Sequence, residues 1–299
     1  MKGMVHLVRG GVYTVALENG TVVQASLRGR LKLEERTGDQ VVIGDRVRVA
    51  EVGDEAHVIE EVLPRETAIT RTRFGGRSTK VLVANADRLL AVFASSRPEP
   101  RRDLIDRLLA VAEYGGVTPV VILNKVDLEG ATEVLDEMRG VYEPLGYEVL
   151  GVSAKSGEGL ARLAEQVCRG IAVLAGPSGV GKSSLVNALE PEHALRTGEL
   201  SGKRGTGRHT TVASRLIQLR CGGLVADTPG FSDIGVWGVR RADLDKCFPE
   251  LRSLAAACRF RGCSHLHEPD CAVAEAVADG RIDAGRFASY RILFEEAES

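Results

Sequence analysis

The stretch GPSGVGKSS, from Gly176 to Ser184, has the residue types and spacing to hold the phosphates of a nucleotide. It matches the pattern G-x-x-x-x-G-K-S/T, whose glycines allow backbone N–H groups to turn toward a phosphate. The apolar run IAVLA precedes it and KSSLVNAL follows it, which predicts a strand, a loop and a helix N-terminus. Lys182 is expected to reach the β- and γ-phosphates, and Ser183 to bind Mg²⁺. The predicted phosphate-binding residues are Gly176, Pro177, Ser178, Gly179, Val180, Gly181, Lys182, Ser183 and Ser184.

A second motif, NKVD, follows the apolar run VVIL and is suited to recognise a base. The carboxylate of Asp127 can accept hydrogen bonds from both N1–H and the 2-amino group of guanine, which adenine does not offer in that arrangement. Lys125 would lie along the base plane, and Asn124 would tie the loop together. The tripeptide SAK, after another strand, would direct a backbone N–H at the guanine O6. The predicted guanine-binding residues are Asn124, Lys125, Val126, Asp127, Ser153, Ala154 and Lys155.

The tetrapeptide DTPG ends the apolar run LVAD, downstream of the phosphate loop. Asp227 can hold the magnesium shell, and the N–H of Gly230 can sense the γ-phosphate. Thr211, sixteen residues before Asp227, suits a switch threonine that joins Mg²⁺ only when a triphosphate is bound. Thr210 is the alternative ligand. The preceding stretch, rich in Gly, Arg and Lys, is interpreted as a switch, with a plain surface loop as the alternative.

Three cysteines and a histidine fall within fourteen residues near the C-terminus. Cys258, Cys263, His265 and Cys271 supply three thiolates and an imidazole, which suffice for a closed, structural tetrahedral zinc site. His267 is the rival imidazole. The remaining cysteines, Cys168, Cys221 and Cys247, are expected to be small buried residues without a ligand role.

The elements that must position these residues change character along the chain. Residues 1–65 read as short strands around an Asn19-Gly20 turn and predict a closed or partly open β-barrel. Residues 66–80 predict a basic linker, either a solvated connector or a contact to a phosphate backbone. Residues 81–235 alternate strands and helices, which predicts a mostly parallel sheet covered on both faces. Residues 236–299 predict helices around the cysteine cluster.

Composition restricts the possible partners. The chain has 299 residues and a formal net charge of −2, so any contact with nucleic acid must come from local basic patches. No apolar run approaches the length of a membrane span, and the N-terminus lacks the features of a signal peptide. We therefore expect a soluble, intracellular protein without a membrane partner.

The order of the motifs is unusual for a nucleotide-binding domain, because the base motifs precede the phosphate loop. A cyclic rearrangement of this kind leaves the site unchanged when the original termini lay close together. It does change what the ends of the domain are joined to. The cysteine-rich module follows directly after DTPG, and we expect a switch there to be well placed to move it.

Together, NKVD, SAK, GPSGVGKSS, GRHTT, DTPG and the cysteine cluster resemble the RsgA (also YjeQ) family of circularly permuted GTPases, over nearly the full chain. The resemblance implies an α/β P-loop GTPase domain with an N-terminal OB-fold barrel and a C-terminal helical zinc-binding domain. It also implies GTP hydrolysis to GDP with Mg²⁺, stimulated by the small ribosomal subunit, late in that subunit's maturation. The implied partners are the small subunit and its ribosomal RNA, with no DNA. We expect a cytoplasmic monomer.

The residue that activates water is less plainly marked. Many GTPases place a glutamine after D-x-x-G, but here Phe231 stands in that position and cannot hydrogen-bond water. One interpretation is slow intrinsic turnover with Phe231 packed nearby. The other, which the family resemblance favours, assigns water to His209, giving His209, Lys182 and Thr211 as the predicted catalytic residues. Gly179 stands where potassium-dependent GTPases tend to carry asparagine, so no potassium requirement is predicted.

Two other functions compete with this prediction. An ATP-using P-loop enzyme such as a kinase is disfavoured by NKVD and SAK. A passive RNA-binding module with a vestigial nucleotide site is disfavoured because Lys182, Ser183, Thr211 and Asp227 are all present.

Overall fold

The computed structural model describes residues 1–29, 31, 40–52, 56–72, 79–190, 214–228 and 238–297. The strands in these ranges are β1 (Lys2–Arg9), β2 (Val12–Leu17), β3 (Val22–Leu27), β4 (Arg46–Val52), β5 (Ala56–Val62), β6 (Ala68–Thr72), β7 (Thr79–Ala84), β8 (Arg88–Ala94), β9 (Thr118–Asn124), β10 (Glu148–Val152), β11 (Ile171–Ala175), β12 (Ser214–Gln218) and β13 (Leu224–Asp227). The helices are α1 (Arg102–Gly115), α2 (Ala131–Tyr142), α3 (Leu160–Val167), α4 (Lys182–Leu189), α5 (Pro249–Ala255), α6 (Ala272–Ala278) and α7 (Ala284–Glu296). Short 3₁₀ helices span Glu143–Leu145, Arg241–Asp243 and Asp245–Cys247.

The first five strands close into a barrel in the order β1-β2-β3-β5-β4, with β4 returning to β1. The β3–β5 pair is parallel and the other pairs are antiparallel. Alternate residues point inward, which puts Val5, Tyr13, Val15 and Ile59 in a fully buried core. A five-stranded barrel of this kind is the architecture of the OB-fold.

The central sheet runs β10-β9-β8-β11-β13, all parallel, with β12 antiparallel beside β13. The sheet does not end at β12, because β1 of the barrel pairs with it in antiparallel fashion. The barrel and the α/β domain therefore share one continuous sheet of eleven strands.

The central strands are buried on both faces, as their continuous apolar runs predict. In β8, Leu89, Ala91 and Phe93 pack with α1 and α2, while Leu90, Val92 and Ala94 pack on the opposite face with α3 and α4. Successive side chains alternate between faces, so one apolar strand serves two cores. The predicted α/β sheet covered on both faces is therefore observed.

The segment predicted as a basic linker contains strands. β6 and β7 pair as a separate two-stranded ribbon in which Arg71 faces Lys80, and Ile69 of β6 is buried. Arg65, which immediately precedes it, donates to the fully buried carboxylate of Asp45 at 2.7 Å. The many basic residues made this segment resemble a linker. Its β-branched residues, which favour strands, were therefore not recognised as a strand pattern.

The C-terminal helices pack around Phe248, Leu251 and Tyr290 and against α1. The guanidinium of Arg286 on α7, 1% exposed, donates to Asp106 of α1 and to Glu250 of α5, each at 2.7 Å. A charge this deeply buried must be paired to be tolerated. The network therefore fixes the C-terminal module onto the α/β domain.

The cysteines outside the C-terminal cluster behave differently from one another. Cys247 is buried with a free thiol, as predicted. The prediction for Cys168 and Cys221 is wrong, because a disulfide joins them and Cys221 is exposed. The bond connects the end of α3 to the turn between β12 and β13, a pairing across 53 residues that spacing alone does not reveal.

Among the described helices, none has the length and apolar composition of a membrane span.

Candidate nucleotide site and metal cluster

The candidate nucleotide site lies where the parallel strands end. The carboxyl ends of β8, β9, β10, β11 and β13 meet at one edge of the sheet and lead into Ser95, Asn124, Ser153, the 176–182 loop and Asp227. Ligands of open α/β sheets bind at this edge. The motifs therefore come together in space although their order in the chain is rearranged.

Two glycines of the phosphate loop have conformations that a side chain would prevent. Gly176 has φ +146°, and a Cβ there would lie 2.0 Å from the carbonyl oxygen of Val92. Gly181 has φ +98°, and a Cβ there would lie 2.3 Å from Nδ2 of Asn124. The loop is thus packed directly against the strand below it and against the base motif.

Lys182 occupies the first turn of α4 and is 4% exposed. Its ammonium donates to the carbonyl oxygens of Gly176 and Pro177, at 2.6 and 2.9 Å. Burial lowers the pKa of Lys182 to about 8. A phosphate over the loop would provide a negative counter-charge for this buried ammonium, whose present partners are neutral carbonyl groups.

Asn124 joins three motifs. Its Nδ2 donates to the carbonyl oxygen of Val180 at 2.8 Å, and its Oδ1 accepts from the N–H of Ala154 at 3.3 Å. The side chain is 2% exposed. A single buried amide therefore fixes the base motif relative to both the phosphate loop and the SAK turn.

Asp127 is held as a carboxylate by its neighbours. The hydroxyl of Ser153 donates to its Oδ1 at 2.7 Å, and the ammonium of Lys155 lies 3.8 Å from its Oδ2. The hydrogen bond from Ser153 lowers the pKa of Asp127. Ser153 also accepts from the N–H groups of Lys155 and Ser156, so its hydroxyl orders the whole turn.

The loop after β8 contributes to the site and was not identified from the sequence. The ammonium of Lys125 donates to the carbonyl oxygens of Ser96 and Arg97, at 3.3 and 2.6 Å, and Ser95 Oγ donates to the carbonyl of Lys125 at 2.9 Å. Lys125 has φ +65°, which these contacts stabilise. The sequence feature that could have indicated this loop is the pair of serines directly after β8, a buried strand whose carboxyl end lies at the edge of the sheet where the motifs meet.

Two of the residues predicted to act on Mg²⁺, Ser183 and Asp227, lie within the described ranges. Ser183 is buried in the first turn of α4, and Asp227 ends the strand beside β11. The carboxylate of Asp227 accepts from Nε of Arg215 on β12 at 3.0 Å. The hydroxyl of Thr228 is buried without a hydrogen-bond partner in the described ranges. His209, Thr210, Thr211, Gly230 and Phe231 lie outside the described residues.

The cysteine cluster brings its four candidate ligands together. The donor atoms of Cys258, Cys263, His265 and Cys271 all lie within 4.8 Å of one another. Nδ1 of His265 is 3.5 Å from the sulfur of Cys258 and 3.4 Å from that of Cys271, and these two sulfurs are 3.8 Å apart. A tetrahedron with metal–sulfur bonds of about 2.3 Å has edges of about 3.8 Å, so the spacing fits zinc.

The structure separates the two candidate histidines. His265 is 2% exposed and turns Nδ1 toward the sulfurs, while its Nε2 lies 4.0 Å from Oδ2 of Asp245. His267 is exposed and stands outside the group. His265 alone of the two can complete the cluster.

Comparison with known proteins gives consistent matches. The family model described as RsgA GTPase matches residues 62–237. The small ribosomal subunit biogenesis GTPase RsgA of Gemmatimonas aurantiaca is 42% identical over 297 residues, covering 98% of this chain and 96% of that protein. The protein of the same name from Caldanaerobacter subterraneus subsp. tengcongensis is 40% identical, covering 98% and 95%.

Solved structures agree with the sequence matches. YjeQ from Thermotoga maritima superposes with a TM-score of 0.80 at 32% identity, covering 99% of this chain and 97% of that one. YloQ, described as a circularly permuted GTPase, gives 0.74 at 29% identity, covering 99% and 94%. The predicted fold class, a permuted GTPase domain between a barrel and a cysteine-rich module, is confirmed. The chain therefore belongs to the RsgA GTPase family and is a GTP hydrolase.

Proposed function

We propose that this GTPase acts in biogenesis of the small ribosomal subunit, hydrolysing GTP to GDP and phosphate with Mg²⁺ and responding to the subunit with faster turnover. The observation that carries the nucleotide part is the buried Asn124 amide, which bonds both Val180 of the phosphate loop and Ala154 of the base-binding turn. The names of the relatives support the ribosomal part.

Guanine selection rests on Asp127. Its ionised carboxylate, oriented by Ser153, accepts from N1–H and the 2-amino group of guanine. The N–H of Ala154 lies at the turn that would face O6. An adenine in the same position would leave the carboxylate unpaired, which penalises ATP strongly.

Phosphate binding rests on the loop and on Lys182. The ammonium now bonded to Gly176 and Pro177 would exchange these carbonyls for β- and γ-phosphate oxygens. Ser183 and Asp227, with Thr211, would hold Mg²⁺, which neutralises phosphate charge when bound. The buried, oxygen-rich end of β13, with Thr228 unpartnered in the described ranges, fits such a hard cation.

Water activation is assigned to His209. The position after DTPG holds Phe231, so that side chain cannot orient water. An imidazole can accept a proton or a hydrogen bond from water. The small subunit is proposed to stimulate hydrolysis by positioning this imidazole against the attacking water.

The cysteine cluster is proposed to hold one structural Zn²⁺. Three thiolates and one imidazole leave no open coordination position, so the metal would stabilise the C-terminal module and take no part in hydrolysis. Contact with ribosomal RNA is assigned to the barrel and this module, and the cytoplasm is the compartment of such a factor. We propose a monomer with no DNA partner.

The test is GTP hydrolysis by the purified chain, with and without small ribosomal subunits, for the wild type, His209→Ala and His267→Ala. We expect the subunits to raise wild-type turnover at least about 100-fold, and His209→Ala to lose this stimulation with unchanged GDP affinity. His267→Ala is the matched control, because this exposed imidazole lies outside both sites.

Two results would contradict the proposal. Absence of stimulation by the subunits would remove the ribosomal role and leave a GTPase with another partner. Equal competition by ATP and GTP for a bound fluorescent GDP derivative would contradict guanine selection by Asp127 and favour the kinase alternative.

A further inference from the structure

We propose that Arg215, on the strand that joins the α/β domain to the barrel, is an internal counter-ion that competes with Mg²⁺ for the carboxylate of Asp227. The inference rests on the proposed function, because it concerns the Mg²⁺-dependent nucleotide site.

The first observation is the pairing of the two side chains. Arg215 and Asp227 are direct cross-strand partners in the β12–β13 pair, so their side chains leave the same face of the sheet. Nε of Arg215 donates to Oδ2 of Asp227 at 3.0 Å. The carboxylate side chain is 13% exposed and the arginine 39%, so the pair is partly shielded from solvent.

The second observation is the place of Asp227. It is the last residue of β13, which runs parallel to β11, and β11 leads into the phosphate loop. The same carboxylate is needed for the magnesium shell when a nucleotide is bound. A guanidinium on Oδ2 places a positive charge where the hydrated cation must act, so the two compete electrostatically.

The third observation is the other neighbour of Arg215. On the side of β12 that faces away from β13, Arg215 is paired with Leu7 of β1, a barrel strand. Leu7, Arg215 and Asp227 therefore form one row across three strands, from the barrel to the nucleotide site. The strand that carries the arginine is therefore also the strand that pairs with the barrel.

The segment that the sequence predicts as a switch is tied to the same hairpin on its N-terminal side. The carboxylate of Glu190, 2% exposed, accepts from the backbone N–H of Arg220 at 2.8 Å, and Arg220 Nε lies 2.7 Å from it. On the C-terminal side, Ser214 pairs with Val8 of the barrel. The β12–β13 hairpin therefore bonds to Glu190, contains Ser214 and Asp227, and pairs with the barrel.

The experiment measures binding of a fluorescent GDP derivative by the full chain as a function of Mg²⁺ concentration. Arg215→Gln removes the charge but keeps a polar side chain of similar reach. Because a partly exposed ion pair contributes little interaction free energy, we expect the half-saturating Mg²⁺ concentration to fall only about two- to fivefold. Arg162→Gln, which breaks an exposed pair with Glu148 on another surface, is the matched control and should leave it unchanged.

A second comparison separates direct competition from a general loss of positive charge. In an Asp227→Asn background, Arg215→Gln should produce no further change in the Mg²⁺ requirement, because no carboxylate remains to be shared. An equal fall in both backgrounds, or an unchanged or increased Mg²⁺ requirement in the single variant, would overturn the inference. If Arg215→Gln does not fold, Arg215→Lys replaces it, with a smaller shift expected in the same direction and no shift counting against the inference.

The outcome also separates this inference from the proposed function. A wild type that binds no guanine nucleotide would overturn both. A wild type that binds GDP with Mg²⁺, beside an Arg215→Gln variant with the same Mg²⁺ requirement, would overturn the counter-ion role alone.

Discussion

The candidate nucleotide pocket and the cysteine cluster are assembled in opposite ways. The pocket joins residues that lie far apart in the sequence, from Ser95 to Asp227, at the ends of five strands. The cluster takes all four candidate ligands from fourteen consecutive residues, Cys258 to Cys271. The pocket therefore depends on the sheet being complete, whereas the cluster depends on one short segment of the chain.

This difference separates what each site contributes. The pocket is held by backbone contacts, a buried amide and two glycines, all of which belong to the chain itself. The cluster gathers three thiols and an imidazole in a small module, which is favourable mainly when a cation neutralises the thiolates. Loss of a ligand group should thus affect binding in the pocket but folding in the module.

The largest effect is expected from Cys271→Ser, which removes a buried thiolate that also caps α6. Because zinc binding is coupled to folding, the C-terminal module should melt at least about 10 °C below the wild type, as a separate transition. Calorimetry and zinc content per chain measure this. Cys247→Ser is the control, since this buried thiol lies outside the cluster and its zinc content should stay unchanged. Full zinc retention by Cys271→Ser would show that Cys271 is not a required ligand, and loss of zinc with an unchanged melting temperature would show that the module does not rely on a metal.

A smaller but clear effect is expected from Gly181→Ala in the pocket. A methyl group there meets Nδ2 of Asn124 at 2.3 Å in a backbone conformation, φ +98°, that alanine disfavours. We expect GDP affinity to fall at least about 100-fold, since the loop and the base motif are displaced together. Gly146→Ala is the matched control, because Gly146 has φ +90° with open space around it. Similar losses of affinity in both variants would show that the contact with Asn124 is unimportant.

The smallest effect concerns the pH dependence of GDP binding. Burial lowers the pKa of Lys182 to about 8, so the folded, nucleotide-free protein loses this proton as the pH rises through 8, whereas the unfolded chain keeps it to about pH 10. The buried charge of Lys182 therefore lowers the free energy of unfolding below pH 8. This loss of stability is relieved as the pH rises from about 8 to 10. Phosphate needs the ammonium, so GDP affinity should fall about tenfold between pH 7 and 9.

Lys182→Ala provides the reference for that titration. Its weaker GDP binding should vary little over the same pH range. A parallel decline in both proteins would assign the pH dependence to another group.

The site residues that the sequence predicts are those that lie in short motifs. Gly181, Lys182, Asn124 and Asp127 lie in patterns whose spacing encodes a loop and the end of a strand. The structure places all four at one edge of the sheet. His209 and Thr211 stay predictions.

The features that were missed depend on pairing between distant segments. No local pattern connects Cys168 with Cys221, Lys125 with the carbonyl of Arg97, or β1 with β12. The β6–β7 ribbon was hidden for a different reason, because its arginines outweighed its alternating β-branched residues. Register and cross-strand neighbours are set by the whole sheet, so they appear only once the strand order is known.

The shared sheet has a consequence for how this protein can be cut into pieces. Removing the barrel would strip β1 from β12 and leave a row of unpaired N–H and C=O groups on the strand that carries Arg215. An uncovered edge of this kind invites pairing between molecules. A truncated chain is thus expected to self-associate along β12. If such a chain failed to bind nucleotide, this association would be a sufficient explanation, without any direct role of the barrel in binding.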